Sequence, residues 1–171
     1  MDEIEEMLSS LPQISLATRL QVELRDPGVG GLGFRLVLDE FELNERASGV
    51  SNDPLEELID MGLFLARGGS GMRRVCIWLE PEGFAVDAWN LGNELAQVLV
   101  SKDGSFVPPM SAYGLEEVSR HLVERTSLAQ CIEEEVGRLL RENEVGLRRW
   151  CRGLAWYVRL HAELREELRR S

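Results

Sequence analysis

The sequence predicts an α+β fold: an antiparallel or mixed sheet of about five or six strands, packed by one central helix and a carboxy-terminal layer of about three helices. Three observations predict it. Apolar residues alternate with a period of two through Leu16–Leu24, Phe34–Leu38, Val75–Glu80 and Phe84–Asn90, as half-buried strands require. A helix-start signature, Asp53-Pro54-Leu55-Glu56, stands between the two strand pairs. Beyond Pro108-Pro109 the apolar spacing changes to steps of three and four. The 171 residues fit one domain, 1–171, sheet-rich over 1–109 and helical over 110–171.

Residues 1–11 read as a short acidic helix with Ile4, Met7, Leu8 and Leu11 on one side. The first strand pair follows, around a Pro27–Gly33 loop. The alternation of Phe34, Leu36 and Leu38 slips before Phe41 and Leu43, which predicts a bulge near Asp39-Glu40 in a long antiparallel hairpin. In the central helix, Asp53 caps, Pro54 takes the first helical position where a missing N–H costs nothing, and Glu56 completes a capping box. Gly68-Gly69-Ser70-Gly71 ends it after Arg67. Leu55, Leu58, Ile59, Met61, Leu63, Phe64 and Leu65 cover more than one stripe, so it is expected to be buried on more than one side.

A second hairpin is predicted around Pro81-Glu82-Gly83. Proline holds φ near −65°, which excludes a type I′ turn and favours a three-residue loop with Gly83 as the left-handed residue. That loop pairs Trp78 with Val86 and Cys76 with Ala88, and both faces come out largely apolar. Leu95–Val100 reads as a further strand, with a turn at Asp103-Gly104 before Phe106-Val107. Three helices are then expected. One runs from Tyr113 to Glu124 with Leu115, Val118 and Leu122 inward, and another is capped by Ser127 and passes through Ile132, Val136, Leu139 and Leu140. The last carries Leu147, Trp150, Leu154, Tyr157, His161, Leu164 and Leu168 as a heptad seam, which fits packing on the chain's own core or on a second copy.

Composition narrows the function classes. Thirty Asp+Glu against 19 Lys+Arg leave a net charge of -11. Such a surface repels phosphate backbones and anionic headgroups, so no nucleic-acid or membrane partner is expected. The acidic start lacks the basic and apolar regions of a secretory signal, and three dispersed cysteines suit reduced thiols, so the expected compartment is the cytoplasm. Gly28-Val29-Gly30-Gly31-Leu32-Gly33 has the dinucleotide-loop pattern, but a strand follows where that chemistry needs a helix. His121 and His161 are the only histidines, without metal-ligand spacing. No cofactor, metal or catalytic residue is expected, and the chain reads as a non-enzyme. A small-molecule enzyme using Cys76 or His121 is the third-ranked alternative.

The acidity is uneven. Residues 1–126 hold 22 acidic against 10 basic side chains, and residues 127–171 hold 8 against 9. A negative field on the sheet-bearing part speeds encounter with a basic partner. The candidate protein-binding residues are therefore Glu40, Glu42, Glu45, Glu56, Glu57, Glu80, Glu82 and Asp87, with Trp78 and Trp89 as aromatic anchors.

Asp53–Gly68 (DPLEELIDMGLFLARG) and Val75–Trp89 (VCIWLEPEGFAVDAW) resemble small acidic bacterial proteins, among them immunity proteins of polymorphic toxin systems. The resemblance implies a cytoplasmic inhibitor that masks the active site of a basic toxin domain, and carries over no site residue. The alternative is a homodimer or assembly subunit joined through the Leu147–Leu168 seam.

Overall fold

The structure, a computed structural model, describes residues 14–28, 30–49, 52–78, 82–103 and 115–171. The predicted helix at 1–11, the tip of the second hairpin and the segment carrying Phe106-Val107 lie outside the described residues. The fold is α+β. Strands β1 (Leu20–Gly28), β2 (Gly31–Leu38) and β3 (Phe41–Ala47) form an antiparallel sheet in that order. Strands β4 (Met72–Trp78), β5 (Gly83–Asn90), β6 (Leu95–Asp103) and β7 (Leu115–Glu124) form a second antiparallel sheet, also in chain order. The helices are α1 (Pro54–Arg67), α2 (Arg125–Glu142), the short α3 (Glu144–Leu147) and α4 (Leu154–Arg170).

Helix α1 begins and ends where the sequence places it. The Asp53 carboxylate accepts the Glu56 amide at 3.2 Å, Pro54 opens the helix, and Gly68 closes it at φ 69°. The Glu56 carboxylate meets Arg152 of the carboxy-terminal region at 3.3 Å, rather than completing a capping box with Asp53. Burial runs all round α1, from Leu55 to Ala66. One contiguous core joins it to Leu24, Phe34 and Leu36 of the first sheet, to Val75, Val86 and Val98 of the second, and to Ile132 and Leu164 of α2 and α4. At Gly62 the helices approach closely, since a Cβ there would lie 3.0 Å from a Leu164 methyl and 3.2 Å from Ile132.

Several expectations are corrected. Asp39-Glu40 is a two-residue turn between β2 and β3, with Leu38 paired to Phe41 and Asp39 at φ 53°; the phase slip marked a reversal of the chain, not a bulge. The first hairpin turn is shorter than the Pro27–Gly33 loop, because Gly28 already pairs with Gly31; the bulge lies in β1, between Arg25 and Gly28.

The second hairpin pairs Trp78 with Gly83, Cys76 with Ala85 and Val75 with Val86. It differs from the expected register by three residues, an odd number, and an odd shift exchanges the faces of one strand relative to the other. In the observed register Val75, Ile77, Phe84, Val86 and Ala88 share the core face, and Cys76, Trp78, Ala85 and Asp87 share the opposite one.

The segment expected as a helix from Tyr113 is strand β7 from Leu115 on. Val100 pairs with Ser119 and Ser101 with Glu117, so Val118 is an extra residue in the ladder. A bulge inserted in a period of two produces spacings of three and four, which is how Leu115, Val118 and Leu122 imitate a helical stripe. α2 starts at Arg125, two residues before the expected cap, and Ser127 lies in its first turn, donating to the Glu124 carboxylate.

The predicted seam is interrupted between α3 and α4, yet its side chains still point one way. Leu147, Trp150, Tyr157, His161 and Leu164 are buried, and Leu154 and Leu168 pack against the same core. Tyr157 donates to Asp53 at 2.6 Å, Trp150 donates to the same carboxylate at 3.4 Å, and His161 lies 2.8 Å from Glu133. The seam therefore holds the α1 amino terminus and α2 within one chain, which corrects its reading as a face open to a second copy.

Candidate protein-binding surface

Each exposed sheet edge presents backbone groups that need partners. In the first sheet, Leu24 pairs with Phe34, and its own N–H and C=O point outward, to Glu135 (2.6 Å) and Arg138 (2.6 Å) of α2. A carboxylate and a guanidinium, joined to each other at 2.6 Å, thus stand in for a neighbouring strand. In the second sheet, the Cys76 N–H donates to Glu57 at 2.7 Å, the Asn52 amide donates to the Cys76 carbonyl at 2.8 Å, and the Ser48 N–H donates to the Trp78 carbonyl. These bonds cover the β4 edge. On β7, Leu122 accepts from the Ala17 amide and pairs with Leu16 in an isolated parallel bridge.

β3 is different. Because Leu24 faces outward from β1, its partner Phe34 bonds toward β3 and Glu45, and the alternation of an antiparallel ladder leaves Glu42, Asn44 and Arg46 aiming N–H and C=O away from β2. All three residues are exposed. Among the described residues, nothing bonds the outward main chain of Glu42 or Asn44. Beside this edge lies a groove of about 460 Å³, lined by Phe41, Leu43 and Phe84, the bulge residue Val118, and the β3 residues Glu42, Asn44 and Glu45. Val118 is 48% exposed. Lys102, bonded to Glu82 at 2.7 Å, also feels the charges of Glu116 and Glu45, and together these raise its pKa. Arg35 bonds Glu42 at 2.7 Å and holds that carboxyl below the usual carboxylate range.

The sequence-derived candidates divide between several environments. Glu42 and Glu45 line the β3 groove, Glu40 stands in the turn before β3, and Glu82 is bonded to Lys102. Glu56 and Glu57 lie instead in a cleft of about 370 Å³ at the α1 amino terminus, with Asp53, Asp60, Arg74 and Arg152. Burial pushes the Glu57 carboxyl up, against the Cys76 N–H and Asn52 bonds that favour its charged form. Two candidates are corrected outright. Trp78 is 2% exposed and packs with Ala85, so it cannot anchor a partner without unpacking. Asp87 is 2% exposed and holds Arg74 through two 2.6 Å bonds, which makes it an internal ion pair. Trp89 is half-buried opposite Met72, and Glu80 lies outside the described residues.

The enzyme alternative named Cys76 and His121; Cys76 lies on β4 with its main chain bonded to Glu57 and Asn52. Burial raises the thiols of Cys131 and Cys151, which disfavours the nucleophilic thiolate. Ser119 Oγ lies 2.5 Å from His121 Nε2, on the same strand face, and His121 also stacks with Phe41 at 5.8 Å. Burial lowers the His121 pKa, with the Asp39 charge opposing it. Asp39 itself accepts the Thr18 and Arg19 amides, each at 2.9 Å, which lowers its own pKa. Its role is thus to tie the chain before β1 to the β2–β3 turn, and among the described residues no carboxylate bonds the histidine to orient it. No trio of histidine, cysteine or carboxylate among them is placed to hold a metal ion. Among the described residues, no helix is long and apolar enough to cross a membrane.

The missed feature was the edge itself. Which carboxylates cover a strand depends on sheet register and on helix α2 lying over β1, and neither is written in local spacing. Comparison with protein-family models, curated proteins and solved structures finds no match for this chain.

Proposed function

We propose that the protein is a non-catalytic protein-binding module, a cytoplasmic immunity-type inhibitor that docks a basic protein, such as a toxin domain, through the acidic face around the β3 groove. The observation that carries this reading is an apolar groove with carboxylates at its rim: Glu42 and Glu45 line it with Phe41, Leu43, Phe84 and Val118, and Lys102 is bonded to Glu82 and feels Glu116 and Glu45, while Glu42 is paired with Arg35 and Asn44 with Arg25. Apolar lining supplies area to bury, and the carboxylates select a cationic partner and speed its approach. Since Glu57 covers a strand edge and Asp87 is internally paired, the docking set keeps Glu40, Glu42, Glu45 and Glu82 of the candidates and adds Glu116, whose charge acts on Lys102.

The test is capture from native cell extract by the intact chain and by an E40R/E45R/E116R variant. The reading expects a basic protein held by the first and lost by the second, toxic when expressed without this chain. Equal capture by both would remove the acidic face from the interaction. A captured protein harmless on its own would leave binding but end the immunity role.

A further inference from the structure

We infer that the groove between the segment before β1 and helix α2 is a second docking site. Its occupant is an extended stretch of a partner chain with one aliphatic residue between two cationic ones, as in Arg-x-Leu-x-Arg. The site goes beyond the acidic-face reading above and does not rest on it, since the two grooves share no lining residue. The charge left open in this groove and the spacing of its walls lead to it.

The groove holds about 510 Å³. Leu16, Ala17 and Leu20 form its apolar wall, and Leu16 is 48% exposed. Its charged lining residues are Glu124 and Glu134. Both are exposed, and among the described residues neither is ion-paired. Glu124 accepts the Thr126 and Ser127 hydroxyls, which hold its carboxylate in place without cancelling its charge. Basic side chains on the adjoining strand and helix are engaged elsewhere. Arg120 holds Glu117, Arg125 donates to the Leu65 and Ala66 carbonyls, and Arg138 joins Glu135 and Glu142. Arg141 lies two turns beyond Glu134, with its guanidinium beside Gly137. Arg19 acts on the first sheet instead, where its charge helps to lower the Glu42 pKa. A cationic residue arriving in the groove thus meets two open carboxylates beside apolar surface, and a guanidinium can take a carboxylate through two parallel bonds.

The spacing fits an extended occupant. Ser127, Gln130, Cys131 and Glu134 follow one another at steps of three, one and three, so one stripe of α2 faces the groove. Glu124 immediately precedes this helix, ten positions before Glu134, which separates the two residues by about 15 Å along the axis. An extended chain advances about 3.3 Å per residue with alternate side chains on one side, so its first, third and fifth residues face one way and span about 13 Å. The outer two would meet the carboxylates, and the middle one the Leu16–Leu20 wall. A helix, about 10 Å across with its side chains, would overfill the groove over that length. Both walls are fixed in advance. The Ala17 amide bonds the Leu122 carbonyl at 2.8 Å, the Thr18 and Arg19 amides bond Asp39, and the Cys131 thiol lies 3.8 Å from the Leu20 carbonyl. A groove formed before its ligand arrives costs little ordering on binding.

The experiment uses the intact chain and a labelled peptide, Gly-Arg-Ser-Leu-Ser-Arg-Gly. Binding is read by fluorescence anisotropy at low ionic strength and located by backbone amide shifts in NMR. The expected result is saturable binding with shifts at the Leu16, Gln130 and Glu134 amides. A peptide with serine in place of leucine should bind at least about tenfold more weakly, the loss of one aliphatic side chain from an apolar wall. Glu134→Gln changes an exposed residue and should keep the melting temperature, yet weaken the parent peptide at least about threefold. E124Q/E134Q should weaken it at least about tenfold, and both differences should shrink as salt is added. No binding, or equal binding by the serine peptide or by the Glu134→Gln chain, overturns the site and leaves the acidic-face reading as it stands. Shifts confined to Leu43, Phe84 and Val118 would put the peptide in the β3 groove, overturning this site while favouring that reading.

Discussion

Glu57 is a half-buried carboxylate held against the Cys76 amide, so its contribution is specific and measurable. Glu57→Ala leaves that N–H and the Asn52 amide without their acceptor, and should lower stability by about 1–3 kcal/mol in urea unfolding. Glu57→Gln keeps an acceptor oxygen and should recover most of it. The pH dependence has a definite sign. With the folded pKa raised above the ordinary 4.5, the folded chain holds the Glu57 proton more tightly than the unfolded chain does. Stability therefore declines as pH rises from about 4.5 through the raised value, because ionised Glu57 is disfavoured in place. Glu57→Gln should gain on the parent chain across that interval, and a stability difference independent of pH would contradict the account. A second test lies at Tyr157, whose hydroxyl donates to Asp53 and accepts the Arg152 amide at 3.1 Å. Tyr157→Phe should cost about 1–2 kcal/mol in the same assay, since two groups lose a bond in a part-buried site. The Asp53 cap was legible because its chemistry is local. Its bonds to Tyr157 and Trp150, about a hundred positions on, were not.

At the scale of elements, local signals carried as far as local physics does. Asp53-Pro54 and Gly68 define α1 by backbone geometry that only neighbouring residues control, and the structure places the helix there. β7 failed for an equally physical reason, because the Val118 bulge breaks a period of two into helix-like steps. The β4–β5 register failed because the loop length fixes it and Pro81-Glu82-Gly83 favoured a shorter loop. The turn before β2 offers a direct check: Gly31 sits at φ 102°, and a Cβ there would lie 2.4 Å from the Ala47 carbonyl oxygen. Gly31→Ala should lower the unfolding midpoint by an amount equal to about 1–3 kcal/mol, because positive φ and a backbone collision act together. The edge caps make another prediction. Removing Glu135 and Arg138 together by alanine should speed hydrogen exchange at the Leu24 amide and raise the tendency to aggregate through β1, while Phe34, bonded inside the sheet, stays protected.

For the whole molecule, the sequence located the excess charge correctly in the first 126 residues, yet charge counting could not distinguish carboxylates that face solvent from those that complete the fold. Glu57 covers β4, Asp87 locks Arg74, and Glu56 joins α1 to Arg152. Glu42 and Glu45 line the groove beside β3, while Asp60 and Glu94 are exposed elsewhere on the surface. The claim that the β3 groove receives a basic partner is tested most directly by the association rate of the captured partner, measured for the parent chain and for E40R/E45R/E116R. The account predicts a rate at least about tenfold slower for the variant at low ionic strength, with the gap closing as salt screens the field. Equal rates at low salt would contradict it.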